Sequence, residues 1–357
     1  MNRPGLIITG ATGFIGRHLI QQLHRRYRIF AISRRPPQAA ETGSIHWFQA
    51  DIADLDALRP VFAQIQALGG AEFVLHFAGY YDFSGEDQPA YQATNVEGTR
   101  NLLELSSPLN LKKFIFSSSV AACAFPAPGA AITEQSPADA DFPYARTKRQ
   151  AEALLVEYQD RVPACILRLA AIFSDQGEYE PLDHFLQTWC SNQWQARLLA
   201  GRGQSAIPYL HIRDLVALVL KVIEHSDRLE PAEVLQASPD GATSHLELYR
   251  AATRHFFGAP RACLLMPKPL AQLGLSVREG WGRLIGRLPF ERAWMAQYID
   301  RQLTIDASRT RRRLGWAPTP ELSLLARLPV LIENRLPRSV PAQTPAPVRP
   351  DFAQQTF

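Results

Sequence analysis

Residues 8–20 read ITGATGFIGRHLI and carry three glycines at a fixed spacing, Gly10, Gly13 and Gly16. A short apolar run precedes the glycines, and an amphipathic pattern over residues 15–23 follows them. In a turn between a strand and a helix, such glycines permit a tight bend, close approach to a pyrophosphate and close helix–strand packing. We therefore predict a dinucleotide whose phosphates meet the free N–H groups and the positive dipole end of this helix.

The N-terminal half alternates short apolar runs with amphipathic segments. The strand-like runs are residues 6–8, 29–32, 45–48, 73–77, 114–117 and 165–169, and helical patterns cover 15–23, 55–68, 95–105 and the stretch after Tyr144. This alternation predicts a parallel sheet with helices on both faces, and nearly continuous apolar strands fit a sheet buried on both sides. The predicted fold class is α/β, a Rossmann-type doubly wound parallel sheet.

The pattern changes after about residue 173, where helical segments dominate between Gly-rich and Pro-rich turns. One strand–helix pair at 209–224 still resembles the first half, so we predict that 205–240 return to the first domain. The predicted organisation is an NADP-binding Rossmann domain over 1–175, a smaller, mostly helical substrate lobe over 176–336, and a disordered Pro-rich tail over 337–357.

Composition excludes several classes of protein. The 357 residues are 46% hydrophobic, which is enough for two lobes, and a net charge of +4 does not point to nucleic acid. The four cysteines are far apart without a CxxC pair, so neither a disulfide framework nor a metal site is expected. We see no signal-peptide pattern and no uncharged apolar run of the roughly 18 residues that a membrane helix needs. We expect a cytoplasmic protein that acts on a small molecule.

The end of the second predicted strand indicates which dinucleotide is bound. NAD-binding folds place a carboxylate there for the ribose 2′-hydroxyl, whereas this chain has Ser33, Arg34 and Arg35. An arginine binds a 2′-phosphate with charge-assisted hydrogen bonds, so we predict NADP. The alternative is that both arginines are loop charges and NAD is accepted through Ser33. Asp51 is a candidate for contacting the adenine amino group or, alternatively, an ordinary helix N-cap.

Several motifs together resemble the extended short-chain dehydrogenase/reductase family, the NAD-dependent epimerase/dehydratase-like group. TGATGFIG (9–16), HFAG (76–79), NVEGTRNLLE (95–104), FIFSSS (114–119) and YARTK (144–148) follow the order and spacing of that family. YLHIRDLV (209–216) and LTIDASRTRRRLGWAP (303–318) resemble its later segments. The resemblance covers about residues 5–320, and the motifs are specific only in combination.

The resemblance implies a catalytic set of Ser119, Tyr144 and Lys148, with Asn95 as a fourth member. Tyr144 and Lys148 stand four residues apart, hence on one helix face, and a nearby ammonium favours the phenolate. Tyr144 would exchange a proton with the substrate oxygen, and Ser119 would hydrogen-bond that oxygen. Lys148 would also hold the nicotinamide ribose, and Asn95 would hold a link in the proton path. Ser118 is the alternative serine, and a helix N-cap is the alternative role of Asn95.

The predicted cofactor contacts follow the ends of the first four strands and the catalytic helix. They are Gly10, Thr12, Gly13, Phe14, Ile15, Gly16, Ser33, Arg34, Arg35, Asp51, Ile52, Phe77, Ala78, Gly79, Tyr144 and Lys148. The resemblance also implies a homodimer formed through the helices that begin near Asn95 and Tyr144.

Departures from the nucleotide-sugar members of the family guide the substrate prediction. Residues 168–180 lack their Asn-Pro, and Ile207 stands where an arginine would grip a diphosphate, with Arg202 as a substitute. Aromatic residues near the presumed pocket suit an apolar or aromatic ketone or alcohol, as in dihydroflavonol reductases and 3β-hydroxysteroid dehydrogenases. They are Tyr80, Tyr81, Phe83, Phe125, Phe142 and Phe173.

These observations predict an NADP-dependent oxidoreductase that interconverts a carbonyl and a secondary alcohol on a small, largely apolar substrate. The alternatives are a nucleotide-sugar epimerase or dehydratase with transient hydride transfer, and a non-catalytic NADP-sensing binding protein. Residues 264–290 combine apolar, Trp and Arg residues at helical spacing. We expect a lid helix packed on the second lobe there, or alternatively a segment that lies on a membrane surface.

Overall fold

The computed structural model describes residues 3–35 and 45–336, so the predicted tail over 337–357 lies outside the described residues. The strands are β1 (Gly5–Thr9), β2 (Arg28–Ser33), β3 (Ile45–Gln49), β4 (Phe73–His76), β5 (Lys113–Ser119), β6 (Ala164–Leu169), β7 (Ala171–Phe173), β8 (Leu198–Ala200), β9 (Ala206–Ile207), β10 (Tyr209–His211), β11 (Glu233–Ala237), β12 (Thr243–Ser244) and β13 (Leu264–Met266). The α-helices are α1 (Phe14–Leu23), α2 (Leu55–Ala67), α3 (Gly98–Ser106), α4 (Pro143–Glu157), α5 (Glu180–Trp189), α6 (Ile212–Glu224), α7 (His245–Phe257), α8 (Lys268–Leu284), α9 (Ser308–Leu314) and α10 (Leu324–Arg335).

A seven-stranded parallel sheet in the order β11-β6-β5-β4-β1-β2-β3 forms the centre of the molecule. Alternate side chains of β1 enter opposite cores: Leu6 and Ile8 pack beneath α1 and α6, whereas Ile7 packs beneath α2, α3 and α4. Burial on both faces explains why these strands are continuous apolar runs. The predicted Rossmann-type fold class is confirmed.

The chain returns to this sheet late in the sequence. Helix α6 shares a core with α1, and β11 pairs with β6 at the sheet edge. The strand of the 209–224 pair does not join the sheet, because β10 pairs with β7 instead. The strand that does join it, β11, was absent from the sequence-based strands.

The remaining helices form a second core outside the sheet. Helices α5, α7 and α10 enclose buried side chains that include Trp189, Tyr249 and Leu331. Helix α8 packs against the turn at Ala293–Tyr298 through a small core containing Ala271 and Ala296. Within 3–35 and 45–336, no helix combines the length and the apolar character needed to cross a bilayer.

Candidate active site

The glycine turn brings three backbone segments into close contact. Gly10 has a φ of +68°, and a Cβ atom there would lie 2.7 to 2.9 Å from main-chain atoms of Phe77 and Ala78. A Cβ on Gly16 would collide with the main chain of Gly10 and Ala11. Only glycine permits this backbone conformation and these short distances between main-chain segments. The close packing of β1, α1 and the end of β4 therefore depends on these glycines.

The first turn of α1 is open to a ligand. Gly13 is the N-cap in an extended conformation, and no side chain caps the helix. Gly13 is exposed, whereas Thr12, Phe14 and Ile15 are half-buried around it. The N–H groups of this turn and the positive end of the helix dipole fit a pyrophosphate. Because the glycines have no side chains, a pyrophosphate can approach the backbone closely.

At the end of β2, two guanidinium groups are available. Arg34 and Arg35 are exposed, and among the described residues neither forms an ion pair. The buried Ser33 hydroxyl donates a hydrogen bond to the Arg35 carbonyl oxygen at 2.5 Å, and the Gln49 amide donates to the Arg34 carbonyl oxygen at 3.1 Å. Hydrogen bonds to main-chain oxygens therefore hold this edge, and the two exposed cationic side chains suit an anion.

Asp51 is not a helix cap. The N-cap of α2 is Asp54, whose side chain accepts a hydrogen bond from the Ala57 N–H at 3.0 Å. Asp51 accepts instead from the Ala53 N–H in the preceding turn. The N-cap alternative for Asp51 is wrong, because the helix begins three residues later, and its contact with adenine stays a prediction. The neighbouring Ile52 is buried.

A buried histidine, overlooked in the sequence, joins the glycine turn to the catalytic helices. The Thr99 hydroxyl donates to the Asn95 carbonyl oxygen at 2.7 Å and therefore accepts from His76 Nε2 at 3.0 Å. His76 Nδ1 then accepts from the Thr9 hydroxyl at 2.7 Å, which accepts from the Ala78 N–H. Burial lowers the pKa of His76 to about 3, so the ring is neutral and this tautomer is fixed by its partners.

Asn95 lies inside a π-helical turn, Tyr91–Glu97, and not at a helix start, so its N-cap alternative is wrong. Its Oδ1 accepts from the Tyr80 N–H at 2.7 Å, and its Nδ2 donates to the Tyr80 carbonyl oxygen and to Thr147 Oγ1. Asn95 thus ties the loop after β4 to α4. In that loop, a Cβ on Gly79 would lie 3.6 Å from Lys148 Nζ.

The three consecutive serines at the end of β5 have different partners. Ser117 donates to the His76 carbonyl oxygen at 2.9 Å, and Ser118 donates to Glu152 Oε1 at 2.5 Å. The Ser119 hydroxyl accepts from the Ala121 N–H at 3.1 Å and lies near enough to Tyr144 to lower the pKa of that phenol. Ser119 is therefore the serine that reaches Tyr144.

Tyr144 and Lys148 lie one turn apart at the start of α4. Lys148 Nζ is 5.6 Å from the centroid of the Tyr144 ring and donates to the Ser117 carbonyl oxygen at 2.7 Å. Burial raises the pKa of Tyr144 to about 12, an effect that the hydrogen bond from Ser119 opposes. Burial lowers the pKa of Lys148 to about 8, although the Glu152 carboxylate opposes this. At neutral pH Tyr144 is a proton donor and Lys148 carries a positive charge.

A buried ion pair supports this arrangement from behind. The Arg168 guanidinium donates to both carboxylate oxygens of Glu152, at 3.1 and 2.8 Å, and both side chains are almost fully buried. Glu152 also accepts from Ser118. The spacing of four residues from Tyr144 to Lys148 and again to Glu152 was visible in the sequence and predicts a shared helix face.

Aromatic side chains line the approach to Tyr144. Its ring lies 4.5 Å from that of Tyr81 and 6.4 Å from that of Phe142, and Tyr81 continues to Phe83 at 4.6 Å. We call Tyr81, Phe83 and Phe142 the aromatic wall.

The other predicted pocket residues lie elsewhere. Tyr80 packs on Tyr91, Phe125 stacks on Tyr298, and Phe173 is buried in the second core. Ile207 pairs with Thr243 in β12, and Arg202 is exposed on a turn whose main chain is held by Asp300.

Comparison with known proteins identifies the family. A family model described as the NAD dependent epimerase/dehydratase family matches residues 6–237. The chain belongs to this family. The match confirms the resemblance read from the motifs, and it spans the whole central sheet, including β11.

Curated relatives of this chain carry more than one name. A UDP-glucose 4-epimerase of Neisseria meningitidis serogroup C is 25% identical over 69% of this chain and 80% of its own length. A putative dihydroflavonol 4-reductase of Synechocystis sp. is 30% identical over 37% of this chain and 38% of its own length. The chain is therefore similar in sequence both to a UDP-glucose 4-epimerase and to a putative dihydroflavonol 4-reductase.

Solved structures of family members share the fold. A UDP-glucose 4-epimerase of Thermotoga maritima, crystallised with UDP-glucose, is 20% identical with a TM-score of 0.71 and covers 92% of this chain and 98% of its own. A dTDP-glucose 4,6-dehydratase of Bacillus anthracis in complex with NAD is 17% identical with a TM-score of 0.68, over 92% and 96% of the two chains. At 17–20% identity, these structural similarities establish the fold of this chain and nothing further.

Proposed function

We propose that this protein is an NADP-dependent oxidoreductase that interconverts a ketone and a secondary alcohol on a small, largely apolar substrate. The observation that carries the proposal is Tyr144, whose ring lies 5.6 Å from Lys148 Nζ and beside the aromatic wall. Family membership supports a nicotinamide cofactor, and the open glycine turn fits its pyrophosphate.

The residues of the site divide the proton chemistry between them. A bound nicotinamide supplies the hydride that reduces the carbonyl carbon. Ser119 donates a hydrogen bond to the carbonyl oxygen, and Tyr144 delivers the proton that converts the developing alkoxide into the alcohol. A pKa of about 12 keeps Tyr144 protonated, which suits the reducing direction. The Lys148 ammonium stabilises the phenolate left behind.

Arg34 and Arg35 support NADP over NAD. Both are exposed at the end of β2, and Ser33 directs its hydroxyl to a main-chain oxygen. Two free guanidinium groups favour a 2′-phosphate, which a carboxylate at this place would repel.

The aromatic wall supports an apolar substrate. The rings of Tyr81 and Phe142 lie next to that of Tyr144, Phe83 packs on Tyr81, and flat apolar molecules pack well against such rings. An aryl or alicyclic ketone is therefore the substrate class we propose.

A second candidate is a nucleotide-sugar epimerase, favoured by the match to UDP-glucose 4-epimerase over 80% of that relative. It predicts NAD(H) retained through purification and conversion of UDP-glucose without net use of the cofactor. Against it stands Ile207, which cannot bind a diphosphate.

The experiment is NADPH consumption over a panel of aryl and alicyclic ketones. Tyr144→Phe should lower turnover by roughly 10²- to 10⁴-fold while NADPH affinity changes little. Tyr158→Phe, which removes a hydroxyl at the far end of α4, is the matched control and should keep full activity. Equal turnover in Tyr144→Phe and the control contradicts the proposal, as does UDP-glucose epimerisation with tightly retained NAD.

A further inference from the structure

Helix α8 exposes an uninterrupted apolar stripe. Its five side chains are between 58% and 81% exposed, although each is large and hydrophobic. They are Leu270, Leu273, Val277, Trp281 and Leu284. Soluble proteins scatter such residues singly, whereas a contiguous patch marks an interaction surface.

The stripe lies directly opposite the face that packs on the protein. At about 100° per residue the five side chains fall within an arc of roughly 80°, and they extend for roughly 20 Å along the helix. The opposite face carries Ala271 and Leu275, which share a small core with Ala296 of the turn at Ala293–Tyr298, and Gly282, which is buried against residues 287–289. The apolar stripe therefore faces away from the protein and is not the partly exposed edge of a hydrophobic core.

Cationic side chains flank the stripe on both sides. Arg278 and Arg283 project from the helix about 100° to 120° to either side of the stripe centre, and each remains largely exposed. Arg287, just beyond the helix, is exposed next to Leu288. Residues 268–292 contain five basic side chains and two carboxylates, Glu279 and Glu291, and both of these are engaged by arginines.

We propose that α8 docks on the surface of an anionic phospholipid membrane, with its apolar stripe among the acyl chains and its arginines at the headgroups. An in-plane helix needs an apolar face with basic residues at its margins, and the long arginine side chains reach back to the phosphates. Anionic headgroups complement the excess positive charge, whereas a second copy of α8 would bring like charges together. The helix lies on the bilayer and does not span it.

The segment that follows α8 contacts the candidate active site. Phe290, which follows the stripe, lies 5.2 Å from Phe83 of the aromatic wall, and Trp294 stacks at 6.2 Å on Phe142. The Trp294 indole N–H also donates to the Phe83 carbonyl oxygen at 3.3 Å. These contacts connect the segment after α8 to the aromatic wall on the side of α8 that faces the protein. Docking itself does not depend on the proposed reaction.

Vesicle flotation of the full-length protein tests the proposal. Vesicles of phosphatidylcholine with about one third phosphatidylglycerol are compared with phosphatidylcholine alone, without cofactor or substrate. We expect binding to the anionic vesicles, and a blue shift of Trp281 fluorescence that is absent in Trp281→Ser. The triple variant Leu273→Ser/Val277→Ser/Leu284→Ser should lose at least about a hundredfold in partitioning. Arg278→Gln/Arg287→Gln should lose on the order of tenfold, with less dependence on salt.

Matched controls separate this surface from apolar exposure in general. Leu68→Ser/Leu325→Ser removes one exposed leucine just after α2 and one on α10, and this variant should bind as the unchanged protein does. Tyr144→Phe should also bind fully, so loss of turnover and loss of docking are distinguishable. The proposal is overturned if no vesicle binds, if the triple variant binds equally well, or if the triple variant instead abolishes a dimer seen by sedimentation.

Discussion

Lys148 donates a hydrogen bond from Nζ to the main-chain oxygen of Ser117 at 2.7 Å, two residues before the serine that reaches Tyr144. The ammonium is thus anchored to the strand end and lies under the Tyr144 ring, 5.6 Å from its centroid. It also lies 4.8 Å from the Phe116 ring, so its surroundings are largely apolar. The charge that assists the phenol is consequently held at a fixed place and poorly hydrated.

Deprotonation of Lys148 at alkaline pH should lower the activity and raise the stability of the protein. Burial lowers its pKa from 10.5 to about 8, so above pH 8 the folded protein loses the charge that assists Tyr144, and kcat/KM should fall. Between pH 8 and 10.5 only the unfolded chain keeps the proton, so raising the pH should favour folding by roughly 3 kcal/mol through this group.

The measurement is kcat/KM and the urea midpoint at pH 7, 8, 9 and 10. Lys148→Met should be nearly inactive at each pH and should lack the part of the stability slope that Lys148 contributes. A rate that stays constant from pH 7 to pH 10 would contradict this role.

Removing the guanidinium groups at the end of β2 should change cofactor choice. Arg34→Gln/Arg35→Gln should weaken NADPH binding by at least about a hundredfold, because each of two charge-assisted hydrogen bonds contributes roughly 1.5–3 kcal/mol. NADH binding should change by less than about threefold, since its ribose carries no phosphate. Titration by cofactor fluorescence measures both. Arg59→Gln, an exposed arginine on α2, is the control, and equal weakening of both cofactors would refute the NADP proposal.

Breaking the buried ion pair behind Lys148 should destabilise the fold. Glu152→Gln leaves the Arg168 guanidinium buried without its carboxylate, so the free energy of unfolding should drop by roughly 3–5 kcal/mol. The double change Glu152→Leu/Arg168→Met should recover part of this loss, because neither charge then remains buried. Urea unfolding measures each step, with the exposed Glu157→Gln as control within about 0.5 kcal/mol. A double variant no more stable than Glu152→Gln would be the adverse result.

His76 should make the protein sensitive to acid. Burial lowers its pKa from 6.5 to about 3, so between those values only the unfolded chain binds the proton. Stability is therefore fully present above pH 6.5 and should fall by about 1.4 kcal/mol per pH unit through this group as the pH drops. Urea midpoints at pH 7, 6 and 5 should show a shallower slope in His76→Gln than in the control His225→Gln. Parallel slopes would mean that His76 titrates normally.

Much of the fold could be predicted because its signals are local. The glycine turn, the alternation of strands and helices, and the i, i+4 pair Tyr144 and Lys148 depend on residues close in sequence. Strand β11 was missed because its apolar run is short and its place at the sheet edge is set by pairing with β6, a partner about 70 residues away. The N-cap role considered for Asp51 was wrong because the backbone places the start of α2 after Asp54, a position that helical spacing alone does not fix.

The sequence by itself determined the fold class, the family motifs and the residue types of the site, because backbone conformation and helical spacing impose these locally. Tertiary structure decided which serine is available to Tyr144, since neighbouring side chains on β5 point to opposite faces and the Ser118 hydroxyl is bound by Glu152. Tertiary structure also decided that the apolar stripe of α8 is exposed. A stripe such as Leu273, Val277 and Trp281 has the same spacing whether it is buried or exposed, and only the packing of the rest of the chain leaves it uncovered.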